Sequence, residues 1–173
     1  TAANKLYGVL EMASLSYGYA ITTYVGQNLG AKKYRRIRNG VRSGVYMALI
    51  TSIVISGVMV ITGRNILSLF VSGEAGQVKQ VLDIAYKYLF IMAIFLWVLY
   101  LLYVYRSAIQ GLGNTLIPLA SGVVEFCMRV GVALLLPKLI GEDGIFYAEI
   151  SAWSGAAILL IVSYVVIIRK YKE

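Results

Sequence analysis

Five stretches of the 173-residue chain carry no charged side chain at all: 12–31, 43–63, 88–105, 107–124 and 150–168. Each runs for 18 to 21 residues, and a helix crossing the hydrocarbon core of a bilayer needs about 20. Lipid offers the backbone no hydrogen-bond partners, so such stretches must satisfy their own amides, which a helix does. The composition agrees: 60% of residues are hydrophobic and 14% charged, against about 25% charged in soluble chains. A disordered chain, a disulfide scaffold and a cytosolic enzyme are excluded. The expected fold class is an all-α polytopic membrane protein with five spans, at about 4–28, 43–63, 80–110, 115–136 and 145–168.

Histidine is absent and Cys127 is the single cysteine. The usual metal sites, triads and imidazole acid–base chemistry are therefore not available, and neither an enzyme nor a bound cofactor is expected. The net charge of +8 does not point to nucleic acid. Six of the sixteen basic residues fall between Lys32 and Arg42, which reads as a cytoplasmic loop obeying the positive-inside bias. Its Tyr34 and Ile37 suggest a short helix lying along the interface. With that loop inside, the Arg106–Asn114 turn and the C-terminus fall on the same side. That side then holds ten basic residues, against Lys5, Arg64, Lys79, Lys87 and Lys138 opposite. Five spans would leave the N-terminus outside with nothing to carry it there, so at least one further helix is expected upstream.

Turn chemistry separates the spans. Gly26, Gln27, Asn28 and Gly30 end the first, Gln110, Gly111 and Gly113 the third, and glycine at these places allows tight bends. Gly18 and Gly26 suggest a closely packed helix face. Ser72-Gly73-Glu74-Ala75-Gly76 reads as the turn before the third span. Pro118, one turn into the fourth, is expected to kink it.

Ionisable groups inside a span are functional candidates by default. Glu125 and Arg129 stand four residues apart on one helix face, with the acid first. They read either as a mutually neutralising structural ion pair or as a titrating coupling site. Glu11 and Glu149 have no basic partner at helical spacing. Either could take up a proton or a cation, or meet Lys5, Lys138 or each other. Tyr86, Tyr88, Tyr103 and Tyr105 fit an interfacial aromatic belt. Trp97 and Tyr100 lie too deep for one, which leaves packing or contact with an organic cation through their ring faces. Glu11, Tyr17, Trp97 and Tyr100 are the candidate cavity residues.

Gly26-Gln27-Asn28-Leu29-Gly30-Ala31-Lys32-Lys33, followed by Tyr34-Arg35-Arg36, resembles the cytoplasmic end of the eighth helix in the MATE family of multidrug and toxic-compound extrusion proteins. Phe70 and the polar connection after it resemble the segment ahead of the family's tenth helix. Gln110-Gly111-Leu112-Gly113-Asn114-Thr115 with Pro118 resembles the turn between its tenth and eleventh. Glu125 through Arg129 resembles a pattern of the eleventh, and Tyr147-Ala148-Glu149 with Trp153 the start of the twelfth.

The resemblance covers essentially the whole chain. It implies helices eight to twelve of a twelve-helix, two-lobed transporter, whose first lobe is a partner on the same polypeptide. The implied activity is export of small organic cations or amphiphiles from the cell through the plasma or inner membrane, by antiport against protons or sodium. One departure stands out. Some sodium-linked members carry an acid on the tenth helix, where this chain has apolar residues near Leu99. That points to a coupling ion held mainly in the other lobe. A lipid-linked oligosaccharide flippase of the same superfamily and a non-transporting membrane scaffold are the competing readings.

Overall fold

A computed structural model describes residues 2–70 and 75–171. Ser72, Gly73 and Glu74 of the expected turn lie outside the described residues, as do Lys172 and the side chain of Lys5. All regular structure among the described residues is helical: α1 Ala2–Gly30, α2 Tyr34–Ser68, α3 Ala75–Ile94, α4 Leu96–Gly111, α5 Leu116–Leu135, α6 Pro137–Ile140 and α7 Phe146–Lys170. A 3-10 turn over Glu142–Ile145 precedes α7. Three helical stretches are long and apolar enough to cross a membrane alone, Tyr34–Ser68, Leu116–Leu139 and Phe146–Lys170, and the bent pair α3–α4 makes a fourth. The chain is thus an all-α, multi-pass membrane protein.

α4 is the hub. It packs against α1, α2 and α7, while α5 packs chiefly on α7. Leu96, Tyr100, Leu102, Val104, Ala108 and Ile109 of α4 are buried, and so are Trp153, Ala156 and Leu160 of α7. The outward faces of α2 and α5 carry Ile50, Ile53, Val54, Leu119, Val123 and Phe126, all exposed, as befits surfaces solvated by lipid.

The basic stretch does not form a separate interfacial helix. α2 begins at Tyr34 and runs unbroken for 35 residues, about 52 Å at 1.5 Å per residue. No proline interrupts it, and arginine is a good helix former. Continuing the helix keeps Ile37, Val41, Gly44 and Ala48 on one buried stripe. Ile37, which an interfacial helix would turn toward lipid, is fully buried.

The expected single span over 80–110 is broken at Phe95, where the axis bends by 49°. Neither proline nor glycine lies there. The Ser56 hydroxyl of α2 donates instead to the Ala93 carbonyl, and a side chain inserted into the helical ladder is a recognised cause of a kink. Pro118, by contrast, produces none. It is the third residue of α5, in the first turn, where its missing N–H would have had no partner within the helix. The Asn114 side chain caps that turn, accepting from the Ile117 amide at 3.1 Å.

α1 and α4 run parallel and very close. Glu11 meets Tyr103, the Thr22 hydroxyl donates to the Ser107 carbonyl at 3.2 Å, and Gly26 faces Gly111. A Cβ on Gly111 would lie 2.8 Å from the Val25 Cβ and 2.9 Å from the Thr22 carbonyl oxygen. Gly26 and Gly111 are therefore helical packing residues rather than bends. Left-handed backbone occurs instead at Lys32, with φ 55°, at Gly113, with φ 81°, and at Gly141, with φ 79°. Gly30 closes α1 in ordinary helical geometry.

Candidate functional site

The polar groups of the spans meet across helices rather than along them. Tyr103 of α4 donates its hydroxyl proton to Glu11 Oε1 of α1 at 2.7 Å. Three residues further along the same face of α4, Arg106 reaches α5, where it pairs with Glu125 and donates to the Ser121 hydroxyl. The side chains of Arg106 and Glu125 are only 20% and 18% exposed. Arg106 Nε is buried and has no hydrogen-bond partner among the described residues. A cleft of about 200 Å³ lies against this seam, walled by Gly18, Tyr19 and Thr22 of α1 and by Tyr103, Arg106 and Gln110 of α4.

The expected pair of Glu125 with Arg129 is not formed. Spacing put both on one face of α5, but that face lies between two neighbours, and each side chain takes the nearer opposite charge. Glu125 goes to Arg106, and Arg129 donates to Glu149 of α7 through Nε at 3.1 Å and through a terminal nitrogen at 2.6 Å. Glu149, which sequence spacing left without a partner, is therefore paired. Arg64 and Asp83 tie α2 to α3 at 2.6 Å. Among the described residues no three of His, Cys, Asp and Glu converge as a metal site would require.

The remaining sequence candidates are dispersed. Tyr17 is half-buried, its hydroxyl sharing a 2.7 Å hydrogen bond with the Thr51 hydroxyl of α2. Tyr100, tilted against Tyr17 with ring centroids 5.9 Å apart, is fully buried. Trp97, too far inside the span for an interfacial belt, is 44% exposed. Of the turn residues, Gln110 borders the cleft, Asn28 donates to the Tyr24 carbonyl at 2.8 Å, and the Gln27 carbonyl accepts from the Ala31 amide. Sequence position alone suggests an aromatic belt for Tyr103 and a loop charge for Arg106. The signal that locates them is the absence of any helix breaker before Gly111, which keeps both inside the span.

The family model described as MatE matches residues 1–135. The chain belongs to the MatE family. It is a family of membrane transporters, and the match takes in α1 through α5 with every residue of the seam described above. The stretch from Tyr147 to Trp153 lies beyond it. A probable multidrug resistance protein of Bacillus subtilis, YoeA, is 25% identical over 147 residues, which is 85% of this chain. The chain matches 27% of the length of that relative.

Proposed function

We propose that this chain is the part of a secondary active exporter in which the α1–α4 cleft walls the path of cationic or amphiphilic compounds. Support comes from membership of the MatE family and from the multidrug-resistance name of the Bacillus relative. The observation that carries the reading is Glu11, an acid inside the helix bundle that accepts from the hydroxyl of Tyr103, a residue lining the cleft. A carboxylate whose near partner is a neutral hydroxyl keeps its attraction for a cation, whereas Glu125 and Glu149 spend theirs on arginines. At reduced dielectric that attraction far exceeds its value in water. The leading account has a proton or sodium ion driving the exchange, held mainly by the other lobe, with the basic segment 32–42 and the C-terminus in the cytoplasm.

In this account Glu11 selects charge rather than couples the pump. Glu11→Gln is expected to raise the KM for a cationic dye such as ethidium about tenfold, with a smaller change in kcat, a single charge-assisted contact having that order of effect. Measuring efflux rates against dye concentration checks it, and an unchanged KM removes Glu11 from the path. One observation favours a second reading, flipping of a lipid-linked oligosaccharide. Arg106 borders the cleft with an unused Nε donor, suited to a diphosphate. Its pairing with Glu125 weighs against it, and translocation of a labelled lipid-linked sugar distinguishes the two.

A further inference from the structure

Tyr105 lies two residues beyond Tyr103 on α4, about 200° around the helix, and faces a second cleft on the other side of the lobe. This cleft has a volume of about 400 Å³ and separates α2 from α7. Both helices pack on α4. Arg38 bridges the gap between them, donating to the Tyr171 carbonyl at 2.6 Å and the Ile168 carbonyl at 3.4 Å at the end of α7. Arg42, one turn along α2, lies with its guanidinium 5.6 Å from the centre of the Tyr46 ring.

Three features make the cleft more than a gap between helices. No acid lines it, and neither arginine has a carboxylate partner among the described residues. Part of its lining is apolar, with Val41 and Val45 on the α2 side and Ile168 on the α7 side. Between them stands Tyr164, only 7% exposed, its hydroxyl buried and without a hydrogen-bond partner among the described residues. A buried hydroxyl ordinarily finds a partner, so this donor awaits an oxygen atom.

We propose that this cleft is a binding site for an anionic phospholipid. Arg38 and Arg42 hold the phosphate, the Tyr164 hydroxyl serves a phosphate or ester oxygen, and the first acyl carbons run along Val45 and Ile168. A free phosphate ion would match the arginines but would leave the apolar walls unused. The cleft lies where the charge-free stretches of α2 and α7 meet their basic ends, which is the depth of a headgroup. It also takes the opposite charge from the cations proposed for the α1–α4 cleft, so the two sites do not compete.

The test uses the full-length protein, purified in mild detergent and titrated with phosphatidylglycerol, phosphatidylcholine or inorganic phosphate. Bound lipid is read by native mass spectrometry and protection by thermal melting. Phosphatidylglycerol should bind in preference to phosphatidylcholine. Arg42→Gln, at an exposed position, should weaken it about tenfold, and Tyr164→Phe should weaken it less. Arg36→Gln removes the same charge from the opposite face of α2 and should leave binding nearly unchanged. Equal losses in Arg36→Gln and Arg42→Gln would reduce the effect to diffuse attraction by a basic segment and overturn the site. So would protection by inorganic phosphate equal to that by lipid, or phosphatidylcholine binding as tightly as phosphatidylglycerol.

Discussion

Arg106→Ala is expected to lower stability by about 3–5 kcal/mol, the usual consequence of leaving one member of a buried ion pair without its partner. Glu125, 18% exposed, would keep its carboxylate inside the bundle without the guanidinium that pairs with it. Arg129→Ala should fall within about 1 kcal/mol, the range for exposed pairs, because the Arg129 side chain is 43% exposed. The comparison separates two arginines that sequence spacing would rank the other way round. Thermal melting of the purified variants measures it, and equal losses would contradict the pairing. The double variant Arg106→Leu with Glu125→Leu should recover much of the loss, since paired apolar replacements of a buried salt bridge are often neutral or better.

The second large effect is expected at Gly111. An alanine methyl there meets the Thr22 carbonyl oxygen and the Val25 Cβ at under 3 Å. Neither is the free end of a side chain, so α1 and α4 must part. Overpacking of this kind costs typically 1–3 kcal/mol. Parting would also lengthen the Tyr103–Glu11 hydrogen bond, so the KM for a cationic dye should rise along with the loss of stability. Gly26→Ala serves as the control. Its added methyl would stand 3.8 Å from the Gly111 carbonyl oxygen, an ordinary contact, and the variant should melt near wild type. Loss at Gly26 equal to that at Gly111 would contradict the packing described.

The helices were legible because their signal is a sum over about twenty residues, which no single side chain can erase. The Gly113–Asn114 turn was legible for a local reason, a left-handed position followed by a capping side chain. What could not be read was pairing across helices. Spacing along α5 shows that Glu125 and Arg129 share a face, but not that α4 offers Arg106 to one and α7 offers Glu149 to the other. Those partners lie 19 and 20 residues away in sequence, at distances set by how three helices pack. The break at Phe95 was hidden for the same reason, since Ser56 lies 37 residues before Ala93, whose carbonyl it engages. Tyr103 shows the cost of reading one helix alone. Its position near a span end suits an aromatic belt, and only the parallel approach of α1 brings Glu11 to its hydroxyl.

The central claim, that this chain belongs to an ion-driven exporter of cationic compounds, is tested most directly by transport. The full-length protein would be reconstituted in sealed vesicles loaded with ethidium, with proton and sodium gradients imposed separately. One of the two gradients should accelerate ethidium efflux, and collapsing it with a matching ionophore should return efflux to the leak. Efflux indifferent to both gradients, from vesicles whose protein melts cooperatively, would contradict it.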